Sequence, residues 1–280
     1  MRIKVIGSGG CTTLPRPLCF CKVCVEAREK GRPFSRGGPA LYIEDIQLLI
    51  DTPEDIANSL NYNQIEEINN VFYSHWDPDN TLGMRIFEQL RLSWLDTSVG
   101  IKNEKPINVF TLPMVYDDLI ALQNKFGSFI DYYQNVHNLI KINIVSEELV
   151  LADIKITFVP TVCSTIFVFE QNNKKVVYAP CDIKPWPDNQ LFNNADLLIV
   201  GDIIPTNPIK NDFYVLADNP LRQELFMIDE IIALKDRYKI KEIIITHIEE
   251  DWGLSYTDYL ELEKQYHGIR FAYDGMEIEV

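Results

Sequence analysis

Three cysteines crowd into one short stretch, Cys19-Phe20-Cys21-Lys22-Val23-Cys24, with Cys11 upstream of it. Thiolates at CxCxxC spacing can turn onto one tetrahedral centre, and sulfur ligands select a soft divalent ion such as zinc. A structural zinc needs a fourth ligand, either Cys11 or a group that folding brings in from far along the chain. In a reducing compartment such cysteines are not spent on disulfides. Cys163 and Cys181 lie in apolar, strand-like surroundings, which predict buried and inert thiols. A second concentration of chemistry is Ser74-His75-Trp76-Asp77-Pro78-Asp79-Asn80, which holds an imidazole, two carboxylates and an amide. Such a set can hold a divalent ion, and its oxygens favour a harder metal than the cysteine loop does.

These groups need a scaffold that delivers them to one place. Asn70-Val71-Phe72-Tyr73 reads as a strand that runs straight into the His75 loop, and loops carried on rigid elements are where chemistry is placed. The same pattern, a strand followed by a polar group, recurs along the chain. Asp51 follows Leu48-Leu49-Ile50, Cys163 follows Ile154–Pro160, Asp182 follows Val176–Ala179, and His247 follows Ile243-Ile244-Ile245-Thr246. If those strands lie side by side, their polar ends meet at one rim.

Further strands are expected at Ile3–Ile6, Ala40–Ile43, Val109–Leu112, Thr165–Gln171, Leu197–Val200, Ile269–Tyr273 and Met276–Val280. Helices are expected at Val25–Lys30, Asp55–Asn61, Leu82–Leu92, Met114–Phe126, Pro220–Arg237 and Tyr256–Tyr266. Residues 130–144 read as irregular. Helices recurring between strand groups favour a layered α/β arrangement. The turn Gly7-Ser8-Gly9-Gly10 is weak evidence for phosphate binding, since any tight strand exit uses glycine.

Composition narrows the partners. With 26 basic and 41 acidic residues the net charge is −15, the opposite of the basic face that a nucleic-acid polymer demands. No apolar run reaches the roughly 18–20 residues of a spanning helix, and Met1–Ile6 reads as a strand and not as a signal peptide. The chain is expected to be cytoplasmic, away from membranes, with a small-molecule substrate.

The strand-end pattern resembles the metallo-β-lactamase superfamily, in the branch of the carbon–phosphorus lyase pathway cyclic phosphodiesterase. That family carries His-x-His-x-Asp-His and then a later His, a bridging Asp and a final His, each at a strand end. Here His75 and Asp79 match, Asp77 stands for the second His and Asn80 for the last. Cys163 stands for the later His, Asp182 matches the bridging Asp, and His247 matches the final His. Asp51-Thr52-Pro53 matches the aspartate of the second strand. Cys19, Cys21 and Cys24 match the structural zinc loop, and Glu250 sits where a histidine of this branch completes it, which leaves the fourth ligand open between Glu250 and Cys11.

The resemblance implies a four-layer αββα sandwich of two mixed sheets. It implies one domain over 1–280, with the zinc loop near 11–24 and an inserted lobe near 94–150. The aromatic stretch Trp94–Tyr133 of that lobe is expected over the strand ends, as a cap or as a homodimer surface. The implied activity is metal-dependent hydrolysis, of a phosphodiester first, with Asp79 and Asp182 as catalytic groups. Two ion sites follow: His75, Asp77, Cys163 and Asp182 for zinc, manganese or iron, and a poorer one of Asp79, Asn80, Asp182 and His247. One active-site ion is therefore expected. The loss of imidazoles also keeps open a degenerate member that binds a metal or ligand without catalysis. A thiol enzyme using Cys163 or Cys181 is the weakest alternative, because Asp182 beside Cys181 opposes thiolate formation.

Overall fold

The computed structural model describes residues 1–280. Alternating burial within the strands explains why they stack as two sheets. In Thr165–Gln171, Phe167 and Phe169 enter the core between the sheets, whereas Ile166 and Val168 enter a second core on the outer face. Val176 and Tyr178 point inward and Val177 and Ala179 outward in the next strand, Lys174–Ala179. Such strands are apolar on both faces because both faces are covered.

The first sheet has seven strands in the order Glu277–Glu279, Arg2–Gly7, Ala40–Ile43, Leu48–Ile50, Asn70–Phe72, Ile107–Thr111, Ile140–Ile144. The second also has seven, in the order Ile269–Phe271, Glu242–Ile245, Leu197–Val200, Lys174–Ala179, Thr165–Gln171, Ile154–Pro160, Glu148–Leu151. Each sheet is half antiparallel and half parallel. Leu48–Ile50, Asn70–Phe72, Ile107–Thr111 and Ile140–Ile144 run parallel in the first sheet. Lys174–Ala179, Leu197–Val200, Glu242–Ile245 and Ile269–Phe271 run parallel in the second. Ile56 and Leu60 of helix Ile56–Tyr62 belong to the first core, while Ile231 and Leu234 of helix Ile228–Tyr238 and Tyr259 and Leu262 of helix Tyr256–Gln265 belong to the second. The result is the α/β sandwich of two mixed sheets expected from the sequence.

Three segments differ from the sequence reading. Residues 94–150 supply the strands Ile107–Thr111 and Ile140–Ile144 at the edge of the first sheet and Glu148–Leu151 at the edge of the second, so they are built into the sandwich. The expected helix Pro220–Arg237 is interrupted, because Phe226–Met227 pairs in parallel with Ile203–Ile204 before helix Ile228–Tyr238 begins. Leu82–Arg85 is a tighter 3₁₀ turn that precedes helix Ile86–Arg91. No helix is long and apolar enough to cross a membrane.

Candidate active site

Four of the strand-end residues leave their strands in left-handed backbone. Asp51, Asp182, Asp202 and His247 have φ of 64, 54, 61 and 51°. Aspartate, asparagine and histidine are the non-glycine residues that visit this region most readily. Four such residues at neighbouring strand ends are held there only because the surrounding structure over-determines them, a pattern associated with functional sites. Gly201 permits their close approach, since a Cβ at that position would lie 1.6 Å from Pro180 O and 2.7 Å from His247 Cβ.

His75 is fixed by a relay. Asp51 accepts hydrogen bonds from Ser74 N–H at 2.8 Å, from Ser74 Oγ at 2.7 Å and from Asn80 Nδ2 at 3.0 Å. With its one proton given to Asp51, Ser74 Oγ must accept from His75 Nδ1, 2.8 Å away. The network thereby assigns the proton of His75 to Nδ1 and leaves a lone pair on Nε2. Burial holds the His75 pKa down to about 4, against the raising pull of Asp182 and Asp79, so the ring is neutral at neutral pH. Its Nε2 faces Cys181 Sγ at 3.4 Å, Asp77 Oδ2 at 3.8 Å and Asp182 Oδ2 at 3.9 Å. One ligand atom each from His75, Asp77 and Asp182 lies within 4.8 Å of the others.

The remaining expected ligands are placed differently. Asp79 Oδ2 and His247 Nε2 are paired at 3.2 Å. Burial alone would lower the His247 pKa, but the bond to Asp79 and the charges of Asp202, Glu249 and Asp79 outweigh it and raise it to about 9. Asn80 spends its Nδ2 on Asp51, and its Oδ1 lies 3.8 Å from Cys181 Sγ, so it orients Asp51 instead of facing the trio as a ligand. Cys163 is exposed and not buried, and it does not join the trio. The turn Thr161–Ser164 that carries it is closed by Thr161 N–H to Ser164 O at 2.8 Å and Ser164 N–H to Thr161 Oγ1 at 2.8 Å, and burial together with the nearby carboxylates of Asp182 and Asp77 raises the Cys163 thiol pKa.

The cysteine loop gathers a second set. Cys21, Cys24 and Cys19 place their sulfurs 3.0, 3.2 and 3.6 Å from Glu250 Oε1. Cys21 precedes helix Lys22–Lys30 and Cys24 sits in its first turn, where the helix N-terminus favours negative charge. Burial pushes the Cys24 thiol up to about 12 in the metal-free chain. Glu250 goes the other way: burial raises its pKa, but Lys210, Cys21 and Cys24 outweigh that and bring it to about 2. The ligand atoms of Cys19, Cys21, Cys24 and Glu250 all lie within 4.8 Å of one another, close enough to turn onto one tetrahedral ion. Glu250 Oε2 is buried without a hydrogen-bond partner. Cys11 lies elsewhere, exposed at the pocket beside the trio.

That pocket holds about 940 Å³. Carboxylates line it, namely Glu54, Asp77, Asp79, Asp182, Asp202, Glu224, Glu249 and Asp251, and its one lysine, Lys210, is bonded to Glu250. Three of its residues were not singled out from the sequence as part of the site. Asp202, raised to about 7 by burial against His247 and the N–H of Asp182, accepts from that N–H at 2.5 Å. Glu249 accepts from the N–H groups of Cys11 and Thr12 at 2.8 and 3.0 Å. Cys181 is buried as expected, yet it faces His75. Asp202 obeys the strand-end rule and could have been found by it; Glu249 has no local signal. No residue of 94–150 lines the pocket.

No family model and no curated protein matches the sequence. Solved structures do, and together with the paired sheets they define the class: the chain has the metallo-β-lactamase fold. It matches a diphosphatase of the PhnP family over 100% of its own length and 97% of that chain, with a TM-score of 0.72 and 20% identity. The zinc-bound PqqB of Methylobacterium extorquens matches over 100% of both chains at a TM-score of 0.76 and 16% identity. Human tRNase Z, short form, matches over 100% of this chain and 99% of that chain at 0.60 and 15%.

Proposed function

We propose that this chain is a metal-dependent hydrolase of a small molecule, acting on a phosphodiester or related ester, with one active-site ion. The observation that carries the reading is the His75, Asp77 and Asp182 trio, with the free Nε2 of His75 directed at both carboxylates and the pocket open beside it. The trio would hold zinc, manganese or iron, and such an ion supplies Lewis acidity and an activated water. Asp79 would serve as metal ligand or general base once released from His247, whose bond holds its pKa down against burial. His247, kept protonated by its acidic neighbours, offers positive charge to a developing oxyanion. Because Lys210 is engaged elsewhere, a phosphoryl group finds no free lysine or arginine on the pocket wall. The same acidity speaks against a nucleic-acid polymer, although one similar fold belongs to a tRNase. Cys19, Cys21, Cys24 and Glu250 would hold a structural zinc.

Protein loaded with zinc, manganese or iron should hydrolyse bis-p-nitrophenyl phosphate or cyclic phosphates, and Asp182→Ala should lose that activity. No rate above background with any of the three metals would reject the reading. The engagement of Asn80 and the pairing of Asp79 with His247 favour the second reading, a non-catalytic binder of the same fold. One metal equivalent, abolished in Cys21→Ser and unchanged in His75→Ala, would select it.

A further inference from the structure

Lys210 belongs to two sites at once. Its segment Ile209–Phe213 walls the pocket through Ile209, Lys210, Asn211 and Phe213, yet its ammonium turns away to bond Glu250 Oε1, with Cys19 Sγ at 3.8 Å. The segment closes on itself through Ile209 N–H to Phe213 O at 2.9 Å, and Asn211 and Asp212 take left-handed backbone with φ of 58 and 57°. Gly253 shapes the seat from the other side. It has φ of 71°, and a Cβ there would come 2.9 Å from Lys210 Cβ and 3.0 Å from Lys210 Cα, so a side chain would push the wall away. Gly253 directly follows Glu250-Asp251-Trp252, so the turn that delivers the carboxylate also seats the lysine.

We propose that Lys210 is a positioning residue, a clasp that fastens the pocket wall to the cysteine–carboxylate cluster, so that the wall is ordered while the cluster is intact. Three thiolates and a carboxylate around a divalent ion leave a formally negative site, and Lys210 offsets part of that charge, with Arg16 Nη1 3.9 Å from Glu250 Oε2. The lysine thus stabilises the ligand set and the ligand set holds the lysine, and such coupling is reciprocal. The zinc half of this inference rests on the structural-zinc reading above; the wall half does not.

Hydrogen exchange on the full chain reconstituted with zinc alone, together with zinc transfer to a chelator, tests it. In Lys210→Met the amides of Ile209 and of Val215, which donates to Asn207 Oδ1 at 3.0 Å, should exchange roughly tenfold faster while Val200 and Ile244 in the second sheet stay at wild-type rates. Zinc should leave severalfold faster as well. Lys210→Arg should restore both, and Lys210→Met should add nothing in a Glu250→Gln background. Wild-type exchange at Ile209 and Val215 in Lys210→Met would overturn the clasp, and so would acceleration spread evenly over both sheets. A loosened wall with unchanged zinc release would overturn the coupling. A wild-type protein that takes up no zinc would refute the ligand reading, leaving the exchange comparison to decide the clasp.

Discussion

The cysteine–carboxylate cluster and the strand-end pocket are both sets of groups with metal-ligand chemistry, and they settle their charges in opposite ways. The cluster takes three members from one loop and one from a distant turn, and its members bond each other and Lys210. The strand-end site takes Asp182, Asp202 and His247 at the pocket wall and Asp51 and His75 behind it from separate strand ends, several of them in left-handed backbone. Like charges remain face to face there: burial and Asp79 raise the pKa of Asp77, and burial raises that of Asp182. A site that ties the chain together relieves its charges internally. In the proposed active site Asp79 and His247 pair, but the repulsion between Asp77 and Asp182 remains for a ligand or metal to relieve.

That difference predicts opposite phenotypes. Asp182→Ala should lower turnover of bis-p-nitrophenyl phosphate by roughly 100-fold or more, since even groups behind metal ligands are worth about 10–100-fold, and should leave the thermal midpoint nearly unchanged. Cys24→Ser should do the reverse. Losing a member of a buried charged set costs about 3 kcal/mol, which lowers the midpoint by about 6–12 °C, while the rate per folded molecule stays within severalfold of wild type. A Cys24→Ser protein that melts normally but does not turn over would break the comparison. Ser74→Ala sharpens it within the pocket. Without the relay from Asp51 the His75 proton is no longer confined to Nδ1, and affinity for the active-site ion should fall about 10–100-fold in chelator competition, with the zinc of the cluster retained.

The two sites were also unequally legible in the sequence. CxCxxC spacing is local, so three of the four cluster members declared themselves, and only the partner from the far turn needed a family resemblance. The strands Thr165–Gln171 and Leu197–Val200 were readable because they are apolar on both faces, and Ile154–Pro160 because Ile154, Ile156 and Phe158 alternate with Lys155 and Thr157. Ile140–Ile144 was missed since Lys141 and Asn143 dilute an edge strand that shows its polar side to water. The break at Phe226–Met227 depends on pairing with Ile203–Ile204, which no window of the sequence contains. Cys163 reads as a buried thiol because the strand before it is apolar, whereas the turn after it, closed by Thr161 and Ser164, leaves it exposed beside Asp182. Glu249 was invisible because its partners are backbone N–H groups of Cys11 and Thr12, which carry no residue signature.

The smallest expected effect concerns pH in the metal-free chain, where the two regions should respond with opposite sign. Glu250 has a folded pKa of about 2, below its ordinary value of 4.5. Its contribution to stability is therefore present above 4.5 and is lost as pH falls toward 2. Asp202 has a folded pKa of about 7, above its ordinary value of 3.8. The folded state binds its proton more tightly, so that contribution is present below 3.8 and is lost as pH rises through 7. Thermal melts of the chelator-treated protein across pH separate the two. The advantage of wild type over Glu250→Gln should shrink on acidification below 4.5, whereas wild type should fall behind Asp202→Asn progressively between pH 4 and 8. Parallel pH profiles for the two variants would show that the regions share one electrostatic environment, and the contrast between a relieved site and an unrelieved one would fail.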